Sequence, residues 1–191
     1  MVLHLSLAFE KICTERRDKD IVTGITCLLD GERTVLDIGC GDGMLTKKAM
    51  EKLGLGAVGL EVSIPKNAKV PVRLFDGQKL PYPDSSFDSV FLIDVLHHTR
   101  HSESLIGEAL RVTKKSVIIK DHYYTNQFDL AALKIADFAG NFLTDAKTPF
   151  YFKSKWEWAE LLRQYRHEKI EWTSEILPKI TFQQIMMKLH K

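Results

Sequence analysis

Three glycines spaced two apart end an apolar run in the segment Val35-Leu36-Asp37-Ile38-Gly39-Cys40-Gly41-Asp42-Gly43. Val35, Leu36 and Ile38 suit a strand buried in a parallel sheet, and the glycines let the backbone turn sharply while main-chain N–H groups come within contact of a ligand. Met44, Leu45, Ala49 and Leu53 then recur near helical spacing among good helix formers. The segment therefore predicts a helix over 43–53 whose positive end faces that ligand.

Such a strand, loop and helix could serve a dinucleotide, a phosphate or a nucleoside, and the spacing decides among them. A dinucleotide fingerprint needs G-x-G-x-x-G, and a P-loop needs Lys-Ser or Lys-Thr after its last glycine, where Met44-Leu45 stands. Asp37-x-Gly39-x-Gly41-x-Gly43 resembles the first motif of the class I S-adenosylmethionine-dependent methyltransferases. Further matches follow in order. Ala57-Val58-Gly59-Leu60-Glu61 is a second apolar strand ending in an acid that can accept both ribose hydroxyls. Val72 to Gly77 supplies a third strand, and Asp76 stands where the family has an acid that meets the adenine amino group, although Asp76-Gly77 is also a strong turn dipeptide. Leu80-Pro81-Tyr82-Pro83-Asp84-Ser85-Ser86-Phe87-Asp88 looks like a stretch of the type 11, small-molecule branch, and it leads through a fourth strand, Val90 to Ile93, to Val95-Leu96-His97-His98, a run common in that branch. Lys120-Asp121-His122 and Asp137-x-x-Gly140-Asn141 look like features of a smaller set within it.

The resemblance covers residues 33–120. It implies an α/β, doubly wound, seven-stranded and mostly parallel sheet of the Rossmann-like methyltransferase type, with an antiparallel last strand. It also implies S-adenosylmethionine as cofactor. Asp37, Gly39, Cys40, Gly41, Asp42 and Gly43 of the loop, Glu61 with Val62, Asp76 with Gly77, and Asp94 with His97 are then the expected cofactor-binding residues.

Composition agrees with one domain over 1–191, residues 1–30 forming an N-terminal helical cap. With 191 residues and 45% hydrophobic content, the chain can bury one core but has no room for a separate substrate domain. A net charge of +2 with mixed signs shows neither a nucleic-acid stripe nor an acidic tail. The three cysteines, Cys13, Cys27 and Cys40, lack CxxC spacing, which favours a reduced compartment, the cytoplasm, over a zinc site. The apolar start, Met1 to Ala8, is interrupted by Glu10 and Lys11, so no membrane span is expected.

Helices are expected over 5–29, 43–53, 102–113, 127–143 and 153–165, the first with a break in its charged middle, Arg16 to Asp20. Ser116 to Lys120 would be the fifth parallel strand, and Glu168–Thr173 with Thr181–Lys188 a closing antiparallel hairpin. One departure from the family stands out. Only Val62 to Val70, including Pro65, join the second and third strands, too short for the usual crossover helix. One sheet face near the third strand loses its cover there, leaving it to the N-terminal helix or to a second copy of the chain in a homodimer.

Methyl transfer needs a base only when the acceptor must lose a proton. Asp94, His97, His98, His101, Asp121, His122, Tyr123 and Tyr124 follow the fourth and fifth strands, and His98 and His122 are the catalytic candidates. No metal site is expected: His97 and His101 could share a helix face but lack a nearby third ligand. Phe138, Phe142, Phe150, Tyr151, Phe152, Trp156, Trp158 and Trp172 suit core and pocket wall better than base stacking, which suggests an apolar or aromatic small-molecule acceptor. Lys47-Lys48, Lys114-Lys115 and Arg16-Arg17 are expected as solvated ends and faces of helices. An RNA-modifying methyltransferase and a non-catalytic S-adenosylmethionine-binding protein are the alternatives.

Overall fold

The computed structural model describes residues 2–141, 149–165, 170–172 and 183–191. The strands are β1 (Thr34–Ile38), β2 (Gly56–Glu61), β3 (Val72–Leu74), β4 (Phe87–Ile93), β5 (Thr113–Tyr124), β6 (Lys153–Ser154), β7 (Ile170–Trp172) and β8 (Gln184–His190). The helices are α1 (Val2–Leu28), α2 (Met44–Leu53), α3 (Ser102–Val112), α4 (Gln127–Asn141) and α5 (Lys155–Arg163), with a 3-10 turn at Leu96–His98. One sheet runs in the order β3-β2-β1-β4-β5-β8-β7. β1 through β5 pair in parallel and β8 is antiparallel to both neighbours, as expected of this fold class.

Alternation along the strands divides the core. Leu36, Ile38, Leu60, Leu92, Val117 and Ile119 face α3 and α5, burying Leu105, Ile106, Ala109, Trp158 and Leu161. Val35, Phe91, Ile93, Ile118 and Met186 face the other way, onto Ile21, Val22, Ile25 and Leu28 of α1 and Ala49 of α2.

The Leu80–Asp88 stretch is held in place by charge-assisted bonds. Arg111 donates to the carbonyls of Tyr82 and Leu80 and to Asp84, and is itself braced by Glu108. Asp88 accepts the N–H groups of Arg33 and Thr34 at 2.9 and 3.0 Å, tying the start of β4 to the start of β1.

Several expectations change. The first helix does not break at Arg16–Asp20. Arg17 donates to Asp94 at 2.6 Å, and Asp18 is buried, accepting from Arg17 and from Lys48 at 2.8 Å. Neither Arg17 nor Lys48 is merely solvated, because paired charges keep that stretch helical and docked. Lys114 and Lys115 belong to β5 rather than to a helix end, since that strand extends well beyond 116–120 at both ends. The helix expected from 153 starts two residues later. Lys153 and Ser154 pair in parallel with Tyr123 and Tyr124 first, and Ser154 then caps α5 in a reciprocal box with Glu157. Trp158 and Phe152 are buried, whereas Trp156 is 82% exposed and Phe138 57% exposed, on the outer faces of α5 and α4. Residues 142–143 of the fourth expected helix, Phe142 among them, together with residues 168, 169 and 173 and residues 181–182 of the expected closing hairpin, lie outside the described residues.

No helix stands between β2 and β3. Ile21, Val22, Ile25 and Leu28 of α1 pack with residues of β5, β8 and α2, toward the other end of the strand order from β3. Val62, Ile64 and Leu74 stay more than half exposed there. No helix among the described residues is long and apolar enough to cross a membrane.

Candidate functional site

The three glycines of the loop after β1 all have left-handed backbone, with φ of 69° at Gly39, 58° at Gly41 and 77° at Gly43. Their surroundings differ. A Cβ at Gly39 would collide with Val95 and one at Gly43 with Val70, whereas one at Gly41 would meet no heavy atom within 4 Å. Gly39 and Gly43 are thus needed for packing, while Gly41 opens a space above the loop that a ligand can share. Glu61, at the end of β2, reaches across: it accepts the Gly41 N–H at 2.6 Å and its own neighbour's N–H, that of Val62, at 3.2 Å. Burial raises the Glu61 carboxyl above its ordinary range, opposed by these two bonds. Asp42 accepts the Met44 N–H at 3.0 Å, an Asx turn that leads the loop into α2, whose N-cap is Gly43.

Asp37 lies beneath the loop. Its side chain is buried and accepts the Thr46 hydroxyl at 2.5 Å, so it joins β1 to α2 and is turned away from the open side. Burial, with Glu61 nearby, pushes it up to about 7. Cys40 fills the space over Gly59, and burial pushes its thiol up, which makes it a packing group and not a thiolate. Asp76 Oδ1 accepts the N–H groups of Gln78 and Lys79 at 2.8 and 2.9 Å, the turn geometry its Asp-Gly sequence allows, with Gly77 at φ 78°.

Two polar clusters stand at the carboxyl ends of β4 and β5. In the first, Asp94 (φ 55°) accepts from Lys120 Nζ and from Arg17 at 2.6 Å each, with His122 Nε2 at 3.4 Å. Burial would raise Asp94, but Lys120, His122 and Arg17 hold it well below the usual carboxylate range. His122 is pulled down to about 4 by burial, with Lys120 adding to the effect against Asp94, and its Nε2 lies 3.2 Å from Lys120 Nζ. In the second cluster Asp121, fully buried, accepts His97 Nδ1 at 2.5 Å, the His97 N–H at 3.1 Å and the His122 N–H at 2.7 Å. His97 Nε2 faces Asp137 Oδ1 at 3.4 Å, and His98 Nε2 lies 3.8 Å from the same oxygen. His98 Nδ1 meets the Pro149 carbonyl at 3.3 Å. Burial opposes charge on His97, yet Asp121 and Asp137 raise it to about 10, while burial and His97 lower His98. Phe152 stacks on His97 at 4.5 Å between centroids.

The expected residues therefore separate. Gly39, Gly41, Gly43, Cys40, Asp42, Glu61 and Val62 gather at the ends of β1 and β2. His98 and His122 belong to different clusters, since Asp121 and His122 leave β5 on opposite faces. Arg17, Lys120 and Asp137 join these clusters without standing among the expected site residues. Arg17 meets Asp94 across 77 positions of chain, which no local pattern could signal. A concavity of 440 Å³ between α3 and α5, lined by Arg100, Ser102, Glu103, Lys153 and Glu157 among others, includes none of the glycine-loop residues.

Residues 36–119 match the family model described as a methyltransferase domain. The 27-O-demethylrifamycin SV methyltransferase of Amycolatopsis mediterranei is 29% identical over 122 residues, 57% of this chain and 44% of that protein. The chain spans less than half the length of the curated relatives it matches. Among solved structures, a chain from the complex with the Haloferax volcanii Trm112 methyltransferase activator superposes with a TM-score of 0.69 over 96% of this chain and 93% of that one, at 16% identity. The Burkholderia thailandensis 1,6-didemethyltoxoflavin-N1-methyltransferase, solved with S-adenosylhomocysteine, gives 0.65 over 96% and 82%, also at 16% identity. Residues 36–119 are thus similar to a methyltransferase domain, and the fold is shared with solved methyltransferases.

Proposed function

We propose that the protein transfers a methyl group from S-adenosylmethionine to a small, apolar or aromatic acceptor. The observation that carries this reading is the open space over Gly41 beside the Glu61 carboxylate, within a segment that matches the methyltransferase domain. A ribose edge seated there exchanges its hydroxyls for the Gly41 N–H at Glu61, and the loop N–H groups together with the start of α2 favour the carboxylate end of the ligand. Val62, 56% exposed, and Gly77 offer an apolar and a backbone surface to the adenine beyond. When bound, the cofactor supplies a sulfonium methyl, which an acceptor lone pair takes as the carbon–sulfur bond breaks toward sulfur.

Positioning does most of this work, and the chain's residues handle the acceptor's proton only where there is one to lose. His122 suits that role poorly, because its Nε2 faces Lys120 Nζ. His98 suits it better, because burial and His97 lower it below the usual histidine range, and Phe150 lies beside its ring as an apolar wall. The small-molecule class rests on the likeness to the rifamycin enzyme and on the family branch. Incubation with methyl-labelled S-adenosylmethionine and fractionated cell extract tests the reading. Label in a small organic product supports it, and label in RNA alone, or in nothing while the cofactor binds, overturns it.

A further inference from the structure

We propose that His97, His98 and Asp137 form a binding site for one divalent first-row transition ion. One ligand atom from each of His97, His98 and Asp137 lies within 4.8 Å of the other two, and the Asp137 oxygen is 3.4 Å from His97 Nε2 and 3.8 Å from His98 Nε2. Donors about 2.1 Å from a shared ion lie about 3–4 Å apart, a range that both distances to Asp137 already meet.

The supporting bonds make this more than a coincidence of polar groups. Asp121 faces His97 Nδ1 and the Pro149 carbonyl faces His98 Nδ1. Each partner is an acceptor, so each Nδ1 must carry a hydrogen, and each Nε2 is the atom turned toward Asp137. A carboxylate or carbonyl behind a histidine is what fixes tautomer and ring direction in protein metal sites. Asp121 is in turn held by the N–H groups of His97 and His122 and is fully buried. Stacking on Phe152 fixes the His97 ring plane. Adjacent histidines converge because the 3-10 turn places their rings 4.0 Å apart, tilted by 52°.

Two imidazoles and one carboxylate suit zinc or ferrous iron, and three protein donors leave coordination positions open. The site sits at the carboxyl ends of β4 and β5, where an oxygen-bearing acceptor would approach. That use of the ion rests on the methyl-transfer reading and takes the place of a free His98 as proton acceptor, whereas the binding itself rests on neither.

Chelator-treated protein titrated with Co²⁺, followed by visible absorption and then by Zn²⁺ displacement, tests it. One equivalent should bind, with ligand-field bands that zinc abolishes. Asp137→Asn and His98→Gln should each weaken Co²⁺ binding more than tenfold, and Asp121→Asn about 10–100-fold, with His190→Gln unchanged. Absence of saturable binding by the wild-type chain, or wild-type affinity in folded Asp137→Asn and His98→Gln, overturns the site. Should Asp137→Asn fail to fold by circular dichroism, His98→Gln and the wild-type stoichiometry decide. S-adenosylhomocysteine binding, measured on the same samples, reports separately on the proposed function.

Discussion

Glu61 accepts the backbone N–H of Gly41 at 2.6 Å across 20 positions of sequence, so the acid ending β2 already holds the loop that ends β1. The same carboxylate is proposed to take the ribose hydroxyls. Glu61→Ala should therefore weaken S-adenosylmethionine binding by about 1.5–3 kcal/mol, the usual worth of charge-assisted bonds lost together. Titration calorimetry checks it, and a loss within experimental error places the ribose elsewhere.

The Asp94–Lys120 pair should matter more to stability than the Asp94–Arg17 pair, although both bonds are 2.6 Å long. Lys120 is fully buried while the Arg17 side chain is 48% exposed. Asp94→Ala strands a buried cation and should cost about 3–5 kcal/mol. Arg17→Ala removes an exposed partner and should cost about 0.2–1 kcal/mol. Urea unfolding measures both, and equal losses would contradict the burial argument.

Asp37 gives a signed pH dependence. Its folded pKa is raised to about 7 from an ordinary 3.8, so the fold favours the protonated acid. The stability this contributes is complete below the unfolded value and is lost as pH rises through the folded one. Relative to Asp37→Asn, the wild-type chain should lose stability between about pH 4 and 7 and change little beyond that window. Thermal melts of both proteins across that range check the sign, and a rise would contradict it.

Much of this architecture could be read from local pattern, because glycine spacing, strand-ending acids and apolar alternation are set by neighbours in sequence. The loop from Gly39 to Gly43, Glu61 at its strand end and the bare connection after β2 all lie where those patterns put them. What could not be read depends on tertiary meeting points. Arg17 and Asp18 look like a solvated run until Asp94 and Lys48 are brought to them. His97 and Asp137, 40 positions apart, converge only because α4 folds back over the end of β5. The two-residue strand at Lys153–Ser154 is too short to leave a period. Trp156, expected among buried aromatics, is exposed because helical spacing sets Trp158, two positions on, against the core instead.

Gly39 and Gly41 should also respond differently to a methyl group. Gly39→Ala drives a Cβ into Val95 and should unfold or severely destabilise the chain, whereas Gly41→Ala meets open space and carries only the strain of a left-handed backbone, about 1 kcal/mol. Melting temperatures of the two variants decide it, and the reverse order would mean that the loop packs otherwise.

Whether the space above Gly41 holds S-adenosylmethionine is decided by calorimetric titration of S-adenosylhomocysteine into the wild-type chain and into folded Gly41→Val. Micromolar binding to the wild type is expected, none from NAD or ATP, and loss of binding in Gly41→Val, whose side chain fills the open space. Unchanged affinity in the folded variant would contradict it.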